Sequence, residues 1–183
     1  MEIIKTAKTP IHGVSMISYP FGIEDTSYEL GYHTGLDFTK AGSDEKNPDI
    51  YSLVFGTVVY VFNESGGNGT QPALGNQVMI KSRNKDEYYR FCHLESVNVK
   101  VGDLVTPLSQ IGVMGNTGNS SGVHLHLEIT PTMEWKDFIN PAELLGIPNE
   151  IGTLVYYDES KIETQRKKYK TPFIFLKKLD IYL

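Results

Sequence analysis

Residues 120–130 read SSGVHLHLEIT, and the two histidines one residue apart are the first feature that could do chemistry. In an extended chain, His124, His126 and Glu128 share one face and the intervening apolar side chains share the other. Imidazoles on one face can bind a metal ion or transfer protons. The alternative is a solvent-facing pair on an amphipathic strand, because so short a motif also recurs by chance.

Two further histidines lie in segments that could supply metal ligands or proton carriers. His33 opens the segment HTGLD, in which Asp37 follows four residues later with Gly35 between them. A strand or a tight turn can place the side chains of His33 and Asp37 on the same side. His93 ends the segment YYRFCHL, whereas His12 stands alone in a stretch with Pro and Gly and has no predicted role.

Imidazole and carboxylate are the ligands that zinc accepts besides thiolate, and a catalytic zinc site uses three protein ligands and leaves a fourth position open. His33, Asp37 and one histidine of the HxH motif meet that count. The other histidines are then available to handle protons, because the chain has no HExxH segment with its glutamate base. Glu128 is a candidate acceptor for the N–H of a ligating imidazole, and a solvated carboxylate at a strand end is the alternative.

Strands have to position these residues, because runs rich in Val, Ile, Tyr and Thr alternate with clusters of Gly, Asn, Asp and Pro. This pattern predicts an antiparallel β domain. The polar segment RNKD predicts a hairpin turn between two of the strands. The predicted strands are residues 57–62, 76–82, 87–94 and 123–130, and the predicted helix is residues 142–145.

Composition describes an ordinary globular protein with one main domain: 183 residues, of which 40% are hydrophobic and 21% charged. The net charge of -5 argues against a nucleic-acid partner. Cys92 is the only cysteine, so an intramolecular disulfide is excluded, and we expect a small, buried, apolar side chain. No apolar run predicts a secretory signal or a membrane span.

Three segments occur along the chain in the order HTGLDF, CHL and GNTGNSSGVHLHLEI. Together they indicate a protein family more specifically than any one of them does. Over roughly residues 17–141 the chain resembles the lysostaphin-type, LytM-like zinc metalloendopeptidases that cut the peptide part of bacterial peptidoglycan. The segments FGTVVYV and VKVGDLVTPLSQIGVMGNTG add to this resemblance. It implies a mostly β fold, an antiparallel sheet in two layers or as a partly open barrel, with a groove that holds the metal site.

The resemblance also implies residue roles. One zinc ion per chain would be bound by His33, Asp37 and His126, and the catalytic residues would be His93 and His124. The implied activity is hydrolysis of a stem peptide or an interpeptide bridge of peptidoglycan. The alternative is a catalytically silent module of the same fold that binds peptidoglycan, activates a partner enzyme or serves assembly in a phage tail or the cell envelope.

We predict a zinc peptidase domain over residues 1–150 and an appended element over residues 151–183. The appended element contains seven Lys or Arg and four Asp or Glu. The appended element is expected to pack on the core, to join a phage-tail or cell-envelope partner, or to contact anionic wall polymer through QRKKYK. The glycine-rich loop of residues 63–75 either flanks a substrate groove or is a tolerated insertion. The protein is expected to act at the bacterial cell wall. It would be a phage-borne lytic enzyme, a fragment of a larger exported protein, or a protein exported by another route.

Overall fold

Short extended segments dominate the chain, as expected from its β-branched and aromatic runs. The structure is a computed structural model that describes residues 2–42, 46–64 and 73–161. Within these residues the strands are β1 (Ile3–Thr6), β2 (Val14–Tyr19), β3 (Leu36–Lys40), β4 (Asp49–Tyr51), β5 (Gly56–Phe62), β6 (Asn76–Ser82), β7 (Tyr88–Leu94), β8 (Ser96–Val97), β9 (Leu104–Val105), β10 (Gln110–Val113), β11 (Leu125–Thr130) and β12 (Leu154–Tyr157), and the helix is α1 (Pro141–Leu145).

The described strands form two sheets. The large sheet has the order β1-β12-β2-β3-β11-β7-β6-β5-β9, and the small sheet has the order β4-β10-β8. β1 pairs with β12 in parallel, and the other described pairs are antiparallel. Neither sheet closes on itself. The prediction of a mostly β, antiparallel and at most partly closed fold is therefore confirmed.

The predicted elements are found close to their predicted bounds. β6 agrees at both ends, β5 and β7 each differ by one residue at the start, and α1 begins one residue early. Residues 83–87 connect β6 to β7, so the turn lies where predicted and is one residue longer than the predicted RNKD. β11 begins at Leu125 instead of Val123, because the chain bends at residues 118–119 and 121–123 and Val123 is 42% exposed.

In the centre of the large sheet, β3-β11-β7, one face has apolar side chains and the other has mostly polar ones, and both sets are buried. Leu36 pairs with Leu127 and Phe38 with Leu125, and all four side chains are fully buried. Burial of each such side chain stabilises the fold by about 1.5–3 kcal/mol. The same register places Asp37 opposite His126. Apolar burial therefore aligns two of the predicted metal ligands.

Some predictions concern the ends of the chain and the long loop. β12 lies between β1 and β2 in the large sheet, and the division of the chain at residue 151 stays a prediction. The segment QRKKYK and most of the loop 63–75 lie outside the described residues. Cys92 is fully buried, as expected. No described helix has the length and apolarity needed to cross a membrane.

Candidate metal centre

Three predicted ligands meet beside β3 and β11. Asp37 lies in β3, His126 lies opposite it in β11, and His33 lies just before β3. Their exposed fractions are 1% for His33, 8% for Asp37 and 5% for His126. Nε2 of His33, Oδ1 of Asp37 and Nδ1 of His126 lie 2.8 to 3.2 Å from one another. These three atoms form a small triangle, which is referred to below as the ligand triangle.

The donor set and its surroundings fit a zinc ion. Nδ1 of His33 lies 2.8 Å from the carbonyl oxygen of Pro20. Since a carbonyl only accepts, that nitrogen donates, and Nε2 of His33 presents its lone pair to the ligand triangle. Ligand atoms about 2.0–2.1 Å from a tetrahedral zinc are roughly 3.3 Å apart, which is close to the edges of the triangle. Two imidazoles and one carboxylate also form a donor set found in catalytic zinc sites.

Gly35 keeps the space beside His126 open. A Cβ at position 35 would lie 2.6 Å from Cε1 of His126 and 2.6 Å from the backbone oxygen of Leu127. Both distances are well inside van der Waals contact. The turn between His33 and Asp37 can therefore approach the His126 ring only with glycine at this position.

Without a metal ion, the ligand triangle holds a proton. Burial by itself lowers the pKa of His126, but the adjacent carboxylates of Asp37 and Glu128 raise it to about 9. Burial by itself raises the pKa of Asp37, but the adjacent rings of His126 and His33 hold it well below its usual range. A metal ion bound here has to displace the proton, so metal binding is coupled to pH.

Glu128 lies behind His126 and is held by three groups. Oε1 of Glu128 accepts a hydrogen bond from the Thr34 hydroxyl at 2.6 Å and lies 3.2 Å from Nε2 of His126. The contact with His126 is electrostatic, because its angles do not meet those of a hydrogen bond. Oε2 of Glu128 accepts a hydrogen bond from Arg90 at 3.1 Å. Glu128 is 4% exposed, so it is not a solvated strand-end carboxylate.

His93 reaches the site because its backbone leaves the regular strand conformation. Cys92 lies opposite His126 in the register, so these two residues share a face and strict alternation would direct His93 to the other one. Instead, His93 has a φ of 60°, and its N–H donates to the carbonyl of Leu74 at 2.9 Å. The ring centroids of His93 and His126 are consequently 5.9 Å apart.

The protonation of His93 follows from its surroundings. Nδ1 of His93 lies 2.7 Å from the carbonyl oxygen of Thr117 and donates to it. Nε2 is therefore the nitrogen left to accept a proton. Burial lowers the pKa of His93 to about 4, and the nearby His126 and His124 act in the same direction against the Thr117 carbonyl. The ring is neutral at pH 7.

His124 lies just before β11, next to His93, with 4.7 Å between the ring centroids. Nδ1 of His124 lies 2.8 Å from the carbonyl oxygen of Gly122 and 3.1 Å from Oγ of Ser120. The carbonyl makes Nδ1 a donor, so the lone pair of the neutral ring lies on Nε2. That Nε2 lies 3.7 Å from Oδ2 of Asp37. Both histidines therefore have a nitrogen free for proton transfer beside the ligand triangle.

Two tyrosines form an aromatic wall beside His33. The ring centroids of Tyr19 and Tyr28 lie 5.0 Å and 5.3 Å from that of His33. Burial and then the charge of Asp37 raise the pKa of Tyr28 to about 12, so its hydroxyl stays protonated and can donate at neutral pH. Sequence reasoning did not select either tyrosine, because the chain has eleven and residue type alone gives no signal.

The segment before His33 forms an open depression at the surface. The backbone N–H of His33 donates to the carbonyl of Ile23, and the N–H of Gly22 donates to the carbonyl of His33, both at 2.9 Å. These bonds join the ligand to the wall of the depression. The residues that line it include Glu24, Asp25, Leu30 and Tyr32.

The structure brings six sequence-predicted residues into one cluster: His33, Asp37, His93, His124, His126 and Glu128. The roles of these residues stay a prediction. His12 lies elsewhere, stacked between the rings of Tyr51 and Tyr157. Sequence reasoning missed Arg90 and Thr117, although an arginine in the middle of a buried strand is a signal that a partner of opposite charge is near.

The chain is similar in sequence to known peptidases. The family model described as Peptidase family M23 matches residues 31–141. An uncharacterized metalloprotease of Buchnera aphidicola is 40% identical over 72 residues, which cover 38% of this chain and 18% of that protein. The peptidoglycan DD-endopeptidase ShyA of Vibrio cholerae is 35% identical over 110 residues, which cover 60% of this chain and 23% of that protein.

The fold is also similar to solved structures. The catalytic domain of the antimicrobial peptidase lysostaphin from Staphylococcus simulans aligns with a TM-score of 0.59 and 25% identity, over 70% of this chain and 90% of that chain. The chain spans about a fifth of the length of the curated relatives it matches. The matched residues 31–141 contain the ligand triangle and both adjacent histidines.

Proposed function

Because the chain belongs to peptidase family M23, we propose that it is a zinc-dependent endopeptidase that hydrolyses peptide bonds in bacterial peptidoglycan. The main support is the ligand triangle of His33, Asp37 and His126 with two titratable histidines beside it. Two relatives, a peptidoglycan DD-endopeptidase and an antimicrobial peptidase, support the substrate class. We place the action at the cell wall, where this polymer lies.

The zinc ion would be held by His33 through Nε2, Asp37 through Oδ1 and His126 through Nδ1. When bound, zinc supplies a Lewis acid that polarises a peptide carbonyl and lowers the pKa of a water molecule toward roughly 7. Glu128 faces Nε2 of His126 and holds the ring in the orientation that presents Nδ1 to the ligand triangle.

His93 and His124 would move the protons of the reaction. His93 is neutral at pH 7 and has Nε2 free, so it takes the proton of the attacking water. The same proton would then pass to the leaving amine through Nε2 of His124, whose ring lies 4.7 Å from that of His93 and whose Nε2 faces Asp37. The carbonyls of Thr117 and Gly122 fix the tautomers of the two rings, so both use Nε2. The bond cut would lie in a stem peptide or an interpeptide bridge.

Digestion of purified peptidoglycan sacculi tests this function. Sacculi with different cross-links are incubated with the zinc-loaded protein, and released fragments are identified by mass spectrometry. New amino termini in the peptide part are expected with wild type, and no more than about a hundredth of that rate with His124→Ala. His12→Gln, which changes a histidine outside the site, is the control and should retain activity. Absence of cleavage on every sacculus by the zinc-loaded wild type would contradict the proposal and favour a silent binding module.

A further inference from the structure

We propose that Arg90, covered by the ring of Trp135, is a positioning residue that holds the metal ligand His126 through the carboxylate of Glu128. The inference rests on the proposed zinc site and extends it by two residues. Neither Arg90 nor Trp135 contributes an atom to the ligand triangle. Their effect would reach the metal only through Glu128.

Arg90 and Glu128 form a buried ion pair across two strands. They lie directly opposite each other in β7 and β11, with 3.1 Å between Nη1 of Arg90 and Oε2 of Glu128. Their side chains are 3% and 4% exposed. A buried carboxylate without a cationic partner is strongly unfavourable, and a guanidinium keeps its charge at any physiological pH. Arg90 therefore fixes where the carboxylate of Glu128 lies.

The second oxygen of Glu128 connects this pair to the ligands. Oε1 accepts from the hydroxyl of Thr34, which follows the ligand His33 in the chain, and lies 3.2 Å from Nε2 of His126. With one oxygen on Arg90 and the other on Thr34, the carboxylate has a single orientation. A fixed negative charge beside the Nε2–H of a ligating imidazole favours one orientation of the ring. Here it directs Nδ1 of His126 toward Asp37, at 2.8 Å.

Trp135 covers the outer side of Arg90. Cζ of Arg90 lies 3.8 Å from the centroid of the Trp135 ring, and Trp135 itself is 56% exposed. Among the described residues, Nε of Arg90 has no hydrogen-bond partner. The guanidinium is therefore held by Glu128 on one side and by the aromatic ring on the other. A cation–π contact is strongest when the cation is kept from water, as it is here.

Zinc affinity, measured by competition with a chromogenic chelator, tests the proposal without any substrate. We expect Glu128→Gln to weaken zinc binding by about 10- to 100-fold. Arg90→Gln should weaken it by about tenfold, and Arg90→Lys, which retains the charge, should restore part of the loss. The double variant R90Q/E128Q should bind zinc no more weakly than E128Q, because Arg90 acts through Glu128.

Two further variants control for unfolding. Lys81→Gln removes an ion pair from the neighbouring strand β6, the one with Asp86, and should leave zinc affinity unchanged. Trp135→Ala alters an exposed residue, so the protein should fold, and zinc binding should weaken severalfold. The proposal would be overturned if R90Q and W135A both bound zinc as tightly as wild type. It would also be overturned if the losses of zinc affinity in R90Q and E128Q multiplied in the double variant. Zinc binding without cleavage of peptidoglycan would contradict the proposed function and leave this inference intact.

Discussion

His93 and His126 lie on neighbouring strands with their rings 5.9 Å apart, although strict alternation along β7 would direct His93 to the opposite face. The positive φ of His93 and the hydrogen bond from its N–H to Leu74 remove the residue from the strand pattern. Such a conformation is uncommon for a residue with a side chain, and it costs of order 1–3 kcal/mol. The backbone conformation of His93 is therefore what brings its ring to the metal site.

Two substitutions of His93 separate its ring from its backbone. Asparagine tolerates a positive φ, so His93→Asn should remain folded and lose at least about 100-fold in kcat/KM. His93→Val should lose the same activity and be a further ~1–3 kcal/mol less stable, because a β-branched residue is strained at this φ. Thermal unfolding of the two variants measures the difference. Equal stability would show that the backbone conformation is not strained.

Gly35→Ala should damage the metal site from outside the ligand set. The added Cβ would lie 2.6 Å from Cε1 and 2.8 Å from Nε2 of His126, so the ring has to move. We expect zinc affinity to fall by at least about tenfold and stability to fall by about 1–3 kcal/mol. Gly13→Ala is the matched control, since a Cβ there meets nothing within 4 Å. A zinc affinity of G35A equal to that of G13A would contradict the close approach.

The stability of the metal-free protein should have a maximum near pH 6.5. The pKa of His126 is raised to about 9, so its contribution is complete below about pH 6.5 and is lost as the pH rises through 9. The pKa of His93 is lowered to about 4, so its contribution is complete above about pH 6.5 and is lost as the pH falls through 4.

Melting temperatures of chelated protein from pH 4 to pH 9.5 measure this dependence. Zinc takes the place of the proton on His126, so zinc-loaded protein should show no loss of stability between pH 6.5 and 9. Metal-free protein as stable at pH 9 as at pH 6.5 would contradict the raised pKa of His126.

Thr117 should affect both stability and turnover. Its hydroxyl donates to the carbonyl of Leu94 and accepts from the N–H of Asn76, and its own carbonyl holds the ring of His93. Thr117→Val leaves the Asn76 N–H without this acceptor, which should cost about 1–3 kcal/mol, whereas Thr117→Ser retains the hydroxyl. We expect T117V to lower kcat by about tenfold with little change in KM. Wild-type kcat in a destabilised T117V would limit Thr117 to a structural role.

Much of the sheet can be predicted from local patterns. The alternation in residues 123–130 predicts that His124 and His126 share a face, and the flanking turn residues define both ends of β6. Asp37 and His126 come together because the register that buries Leu36 against Leu127 also aligns them. These features depend on neighbouring residues or on apolar burial, and the period of the apolar residues in the sequence predicts both.

Other parts of the site depend on contacts between distant segments. The segment YYRFCHL gives no sign that His93 leaves the strand, because the cause is a hydrogen bond to Leu74. The contact between Arg90 and Trp135 likewise joins two segments that are far apart in the sequence, and nothing in the sequence indicates that they meet in space. Strands β1 and β12 are four residues each and pair across most of the chain, so no local pattern predicts their partnership.

The most direct test of the central claim is a zinc titration of the chelated protein, with the initial rate of peptide-bond cleavage in purified sacculi as the readout. Since His33, Asp37 and His126 form one ligand triangle, the rate should rise linearly with added zinc and stop rising at one equivalent per chain. His126→Ala, which lacks one ligand, should show no such break. Cleavage that proceeds in the chelated protein, or a rate that needs a second equivalent of zinc, would contradict a single catalytic zinc held by these three residues.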